Sequence, residues 1–235
     1  MRSYISNYEL EELGESLIAN YLQGNDKCLC IDIEGFITDY LGLTIVYTSF
    51  ADREKIGFLS DGEEQLPIYS NGKEVKAVFP KWNIVLDRFL LSDNEFGRRR
   101  FTMAHEAAHY ILEKHDPMTK AYFHRVFDKE QDYTLPDLQE LMSLTESQAD
   151  RLAATLLMPK FIVERSLKKF NRGRSLTVYG NSILAPSEKI AMRKMGDSLG
   201  VSYTALFIRL KDLSLIEFRD QDEYITKYLG VGGNS

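Results

Sequence analysis

The sequence is poor in cysteine, in histidine and in long hydrophobic runs, and each shortage excludes a class of protein. Its 235 residues include two cysteines, Cys28 and Cys30. They lie too close together for an unstrained disulfide and are too few for a cysteine-based zinc site, so we expect reduced thiols. No apolar run approaches the roughly 18 residues of a membrane span, and the N-terminus lacks a signal-peptide core. These shortages predict a cytoplasmic protein without a membrane segment.

The chain also lacks a strong excess of positive charge. Its net charge is -6, which excludes a surface that attracts nucleic acid everywhere and leaves room only for a local DNA contact. Hydrophobic residues make up 44% of the chain. That content is sufficient for one large domain, or for one domain with an appendage.

Residue periodicity predicts short strands followed by helices, which indicates an α+β fold. Helical spacing occurs at 8–22 and 31–42, and Gly42 ends the second segment. Strand candidates follow at 43–50, 55–59, 66–70, 74–79 and 83–87. From 94 to about 170 the pattern is mainly helical, with interruptions near 116–117 and 133–136.

The C-terminal part predicts a change of organisation. Residues 171–186 are rich in turn-forming residues and predict a linker or a hairpin. Ser187 is expected to cap a helix pair with the shape of a helix-turn-helix, extending to 217. The predicted domain organisation is therefore a main domain at 1–170, this linker, the helix pair at 187–217 and a tail at 218–235.

Two of the four histidines lie in the segment FTMAHEAAHYIL. His105 and His109 are four residues apart, so a helix would place both imidazoles on one face. Glu106 lies one step around the helix, close to a shared ion without binding it. This is the HExxH arrangement of zinc peptidases, with two ligands and one general base. The alternative explanation is a helix with two solvated histidines, which requires no further ligand.

A catalytic zinc needs a third protein ligand. His115 and His124 are candidates, but neither has the spacing of the extended histidine motif. Glu146 is the better candidate, because it shares a helical face with Asp150 beside a buried stripe. Asp150 could then accept a hydrogen bond from a ligand histidine and fix its tautomer. An ordinary solvated acidic face is the competing interpretation.

The strings RRRFTMAHEAAHYIL and ESQADRLAATLLMP resemble the ImmA/IrrE family of metallopeptidases. The resemblance continues in IDIEGFITDYLGLTIVY, NIVLD and SEKIAMRKMGDSLGVSYTALFIRLKDLSLI, and covers about residues 8–217. It implies a zincin-like fold with a small sheet and metal-binding helices. Two positions depart from the family pattern. Ala108 replaces the usual Gly and Leu152 the usual Phe. Both are apolar packing positions, so we expect the metal site to survive these replacements.

The resemblance also implies roles for particular residues. It implies zinc at His105, His109 and Glu146, with Glu106 as the base, and helix-turn-helix repressors of mobile elements or stress genes as substrates. The sequence does not name the oxyanion donor: Tyr110 faces away from the ligands, whereas Tyr122, His124, Tyr133 and nearby arginines remain open.

Two further features allow alternatives. The strand NIVLD could offer a free edge to an extended peptide, or could be an ordinary sheet strand. The helix pair could dock a protein or bind DNA, with Tyr203, Thr204, Arg209 and Lys211 as the few candidate base readers. The chain is therefore either a zinc endopeptidase acting on a repressor or a DNA- or partner-binding regulator with a structural or vestigial metal site. A functional Glu106 distinguishes them, because a purely structural site needs no base.

Overall fold

A computed structural model of the protein describes residues 5–24, 27–115, 135–180 and 183–230, with only the backbone described for 115 and 135–143. The chain forms two compact units, one of residues 1–25 and 32–159 and the other of 26–31 and 160–235. Helices and strands occur in both units, which confirms the predicted α+β class. The first unit ends at Pro159, whereas the sequence suggested 170.

Four helical segments belong to the first unit, in the described part of the chain. They are α1 (Asn7–Leu22), α2 (Ile33–Gly35, continued by a π-helical turn at Phe36–Tyr40), α3 (Phe96–His115) and α4 (Leu135–Leu157). Ser6 caps α1, since its side chain accepts the Glu9 amide while Glu9 accepts the Ser6 amide. The helices predicted at 8–22 and 31–42 are confirmed. The interruption predicted near 116–117 lies outside the described residues.

Helix α3 packs against a three-stranded sheet. Its members are β1 (Thr44–Thr48), β2 (Gly57–Leu59) and β5 (Asn83–Asp87), in the order β1-β5-β2. Strand β1 pairs with β5 in parallel, and β2 pairs with it antiparallel. A hairpin of β3 (Leu66–Ser70) and β4 (Lys73–Ala77) packs beside the sheet through a small core of Phe50, Leu66 and Val85.

Of the two possibilities for NIVLD, the structure shows the ordinary sheet strand and not the free edge. Strand β5 is the central strand and has a neighbour on each side, which explains why Ile84, Val85 and Leu86 are fully buried. The edge strand beside α3 is β2. Ile56 and Ser60 direct their backbone bonds to β5, so the alternate residues Gly57 and Leu59 direct theirs away from it.

Helix α4 lies between α3 and α1 and packs closely against both. At Gly14 of α1 an added Cβ would lie 2.7 Å from Thr155 Cγ2 and 3.2 Å from Leu152 Cδ1, so only glycine permits this approach. Two polar contacts accompany it: the Gln148 amide donates to the Ile5 carbonyl at 3.1 Å, and the Thr155 hydroxyl donates to Glu11 at 3.1 Å. Helix α1 therefore fixes where α4 stands.

The second unit surrounds a core supplied mainly by two helices and a small sheet. Its elements are α5 (Lys160–Asn171), β6 (Leu176–Tyr179), β7 (Ile183–Leu184), α6 (Pro186–Leu199), α7 (Tyr203–Asp212), β8 (Ile216–Arg219) and α8 (Gln221–Tyr224, continued by a π-helical turn at Ile225–Leu229). Strand β6 pairs antiparallel with β7 and in parallel with β8. Both cysteines are free thiols, as predicted.

Several boundaries in the second unit differ from the sequence expectations. Of the two possibilities for 171–186, the structure shows the hairpin β6–β7. Ala185 is the N-cap of α6 and Pro186 its first residue, so Ser187 does not cap this helix. The expected tail from 218 instead contributes to β8 and α8, because β8 completes the sheet beside β6 and therefore must reach Arg219.

The helix pair α6–α7 exists, joined through Gly200 in the left-handed conformation and capped by Ser202. Arg209 does not fit the predicted role of base reader, because it is 2% exposed. The exposed face of α7 carries Tyr203 and, 55% exposed, the apolar Ile208. Within the described ranges, no helix is both long enough and apolar enough to cross a membrane.

Candidate metal centre

Helix α3 holds the two histidines on one face through packing along its length. Ala104, Ala107 and Ala108 are fully buried, so neighbouring elements approach the helix closely. The His105 and His109 side chains are only 17% and 22% exposed. Their Nε2 atoms lie 3.0 Å apart, and the two rings meet edge to face. The predicted i, i+4 convergence is present.

Helix α4 brings Glu146 and Asp150 to these histidines from a distant part of the sequence. Glu146 Oε2 lies 3.1 Å from His105 Nε2, and Glu146 Oε1 lies 3.5 Å from His109 Nε2. The Glu146 and Asp150 side chains are 58% and 59% exposed, so the acidic side of the cluster faces solvent. The structure thus brings together the three residues predicted as ligands.

The potential ligand atoms lie as close together as a metal site requires. Ligands about 2.0–2.1 Å from a tetrahedral zinc are about 3.3 Å from one another. The two imidazole nitrogens are 3.0 Å apart, and each lies 3.1 or 3.5 Å from a different oxygen of the Glu146 carboxylate. Burial, followed by the charge of His105, lowers the pKa of His109. Neutral imidazole is the form that binds a metal. Two imidazoles and one carboxylate form a donor set suited to zinc.

Asp150 contacts the other ring nitrogen of His105. Its Oδ1 lies 2.9 Å from Nδ1, so the proton of a neutral His105 ring resides on Nδ1 and is donated to the carboxylate. The Nε2 lone pair is then directed at His109 and Glu146. This is the contact predicted for Asp150, and a contact of this kind would orient His105 and increase its basicity toward a metal.

Glu106 is buried beside the cluster, against the edge strand. Burial raises the pKa of Glu106 to about 7, and the charge of Glu146 acts in the same direction. His105, Lys55 and the Leu59 amide, which donates to the carboxylate, act in the opposite direction. A carboxyl group with this pKa can both accept and release a proton near neutral pH.

Strand β2 sets the position of Glu106 in a way that the sequence did not reveal. A Cβ added to Gly57 would contact Thr102 Cγ2 and lie 2.8 Å from Glu106 Oε1. Leu59, two residues further along, donates a hydrogen bond from its backbone amide to the same carboxylate. The only sequence signal was a glycine within the strand KIGFL, which is typical of close backbone approach.

The other predicted site residues lie partly outside the described part of the chain. Tyr122, His124 and Tyr133 are not among the described residues, and the His115 side chain is not described. Tyr110 faces away from the ligands, as predicted, and packs edge to face against Trp82. Among the described residues, the group able to hold a metal is His105, His109 and Glu146.

Comparison with known proteins agrees with this arrangement. A peptidase family model described as IrrE N-terminal-like domain matches residues 70–211. That span includes His105, His109, Glu146 and Asp150. It also includes Glu106 and most of α6 and α7. No curated protein matches the chain. With three predicted ligands converging in the matched region, the chain belongs to the ImmA/IrrE family of metallopeptidases.

Proposed function

We propose that the protein is a zinc-dependent, site-specific endopeptidase that cleaves a helix-turn-helix transcriptional repressor. The observation that carries the proposal is the convergence of His105, His109 and Glu146 beside the buried carboxyl group of Glu106. A purely structural metal site has no use for such a group. Its position therefore favours catalysis over the regulator with a structural or vestigial site.

The residues present fit zinc, because two imidazole nitrogens and a carboxylate converge within the distances that one ion can span. When bound, zinc supplies Lewis-acid chemistry, making water more acidic and polarising a peptide carbonyl. Four-coordinate zinc with three protein ligands leaves one position for water or substrate. The exposed carboxylate of Glu146 leaves this side of the cluster accessible.

Glu106 is the general base in this proposal. Its carboxylate accepts the proton of the attacking water and later transfers it to the leaving amine, which restores the starting state. The hydrogen bond from the Leu59 amide and the contact with Gly57 hold the carboxylate in place during both proton transfers. Asp150 keeps His105 oriented throughout.

The outer edge of β2 suits an extended peptide. Gly57 directs its backbone groups, and Leu59 its carbonyl, away from β5 on the side of the strand where Glu106 lies. The Leu59 amide points the same way but already donates to Glu106. A peptide that paired with this edge would place its main chain beside Glu106, and its binding would depend little on side-chain identity. Selectivity must then come from contacts outside the strand.

The substrate class rests on the family resemblance. Members of this family are expected to act on repressors of mobile elements or stress genes. We therefore expect poor cleavage of general substrates such as casein and efficient cleavage of one repressor.

The test is to incubate the zinc-loaded protein with the helix-turn-helix repressor encoded beside its gene and to measure product masses. We expect one cleaved bond with the wild-type protein. The Glu106→Gln variant should cleave about 10²–10⁴-fold more slowly, because glutamine keeps the size of the side chain but cannot accept the proton.

Metal analysis provides the control. Both proteins should contain one equivalent of zinc, because Glu106 is not a ligand. Near wild-type cleavage by Glu106→Gln would refute the role of the base. Loss of zinc from this variant would show that Glu106 is a ligand, and efficient cleavage of casein would indicate a general degradative enzyme.

A further inference from the structure

Two lysines from different elements meet at the only tryptophan of the chain, Trp82. Lys81 Nζ lies 4.6 Å from the centre of the Trp82 ring and Lys114 Nζ lies 5.2 Å from it. Tyr110 packs edge to face against the same ring at 5.1 Å and is 5.8 Å from Lys114 Nζ. We call these four residues the Trp82 cluster.

The cluster lies in line with Glu106. Residues 106, 110 and 114 are spaced by four and therefore share one face of α3. The partners of this face follow the direction of β2: Glu106 contacts Leu59, and Tyr110, one turn further on, contacts Trp82. The Trp82 amide donates to the Ser60 carbonyl at 2.7 Å, so Trp82 stands at the end of β2.

The backbone of Trp82 has an unusual conformation. Its φ is 69°, a left-handed value that a bulky residue rarely adopts. This conformation turns the chain between Lys81 and β5, next to the end of the edge strand β2. The Asn83 amide donates to the Pro80 carbonyl at 3.1 Å, so this conformation belongs to the tight turn that leads into β5.

The charges of the cluster are of one sign. In the part of the chain that the structure describes, no ion pair includes the ammonium group of Lys81 or Lys114. Asp61 accepts the backbone amides of Glu63 and Glu64, and these bonds are the main cause of its lowered pKa. Lys81 makes only a minor contribution to that lowering. Two like charges held above one ring leave a site suited to a carboxylate.

We propose that the Trp82 cluster is a specificity subsite that binds an acidic side chain of the protein substrate. The proposal rests on the proposed peptidase function and on pairing of the substrate with β2. Eight helical residues separate Glu106 from Lys114, a rise of about 12 Å. An extended peptide covers that distance in about four residues, so the acidic residue would lie about two to four positions from the cleaved bond.

The position of Trp82 allows a direct binding test. Because the chain has one tryptophan, its fluorescence reports on this cluster alone. We would titrate the zinc-loaded Glu106→Gln protein, in which hydrolysis should be about 10²–10⁴-fold slower, with a blocked hexapeptide of alanine and valine that contains one glutamate. The same peptide with glutamine is the matched ligand. We expect saturable fluorescence changes and binding of the glutamate peptide tighter by about three- to tenfold.

Paired variants assign the preference to the two lysines. Lys81→Gln combined with Lys114→Gln should abolish the preference, and arginine at both positions should restore it. Lys73→Gln combined with Lys76→Gln removes the same charge from the exposed strand β4 and should change nothing. All four positions are exposed, so the variants should fold.

The outcomes separate this proposal from the peptidase function. Equal binding of the two peptides, or a preference that survives in Lys81→Gln/Lys114→Gln, would overturn the subsite even if the wild-type protein cleaves its repressor. A lysine-dependent preference without any cleavage would support the subsite and refute the peptidase. If neither peptide changed the fluorescence, the Trp82 cluster would be surface packing alone, and this result would also overturn the subsite.

Discussion

Helices α3 and α4 supply the metal cluster from different environments. The histidines and Glu106 of α3 are largely buried, whereas Glu146 and Asp150 of α4 are more than half exposed. Packing therefore positions the α3 groups before any metal binds. The α4 groups reach the cluster as side chains in solvent, held mainly by the position of their helix.

The largest effect should come from removing a ligand on each side. His109→Ala and Glu146→Ala should both lose zinc after dialysis, because two protein ligands hold it poorly. The metal-free proteins should differ. His109→Ala removes a packed side chain and should lower the free energy of unfolding by about 1–2 kcal/mol, whereas Glu146→Ala should change it by less than about 0.5 kcal/mol. Chemical unfolding in a chelator measures both.

Retention of one equivalent of zinc by Glu146→Ala would disprove this ligand assignment. Equal stability losses in the two metal-free variants would remove the distinction between the helices.

Gly57→Ala tests the buried side without touching a ligand. The added methyl group would displace the Glu106 carboxylate, so turnover should fall by about a hundredfold while zinc is retained. Adding Thr102→Ser removes the methyl group that the new Cβ would also meet. This double variant should regain thermal stability but not turnover, because the contact with Glu106 remains. Recovery of turnover would place the effect at Thr102 instead.

Asp150→Asn tests the exposed side. Asparagine keeps the size of the side chain but lacks the charge that supports His105, so zinc affinity should fall by about 10–100-fold. Competition with a chromophoric chelator gives the affinity. An unchanged value would mean that the contact between Asp150 and Nδ1 does not support the ligand.

The smallest effect on the site should come from Gly14→Ala. Crowding against Thr155 should destabilise the first unit by about 1–3 kcal/mol. Its zinc affinity should fall less than that of Asp150→Asn, because the helix shifts while all ligands remain. Thermal unfolding and the same chelator assay compare the two. If the free energy of zinc binding fell by more than the free energy of unfolding, Glu146 and Asp150 would tolerate no displacement of α4.

Local spacing predicted the parts of the site that depend on one helix. His105, Glu106 and His109 followed from the i, i+4 rule, and Glu146 with Asp150 from the same rule on a second helix. The helices and most strands were also predictable, since periodicity is a local property.

Strand order and close contacts were not predictable in the same way. Strand β5 pairs with β1 across the intervening hairpin, so no local pattern showed that it was central. The contact between Gly57 and Glu106 depends on where α3 crosses β2, which one sequence does not encode locally. Arg209 resembled a surface residue by type, yet the fold buries it.

The contact between α1 and α4 has a practical consequence for defining a minimal active fragment. The match to the family model begins at residue 70, and a fragment designed on that match alone would omit everything before it. A fragment of 70–211 would lack β1 and β2, the two neighbours of β5. It would also lack the Leu59 amide that donates to Glu106, and helix α1, which packs against α4 at Gly14. His105, Glu106, His109 and Glu146 would be present, but the scaffold that aligns them would not.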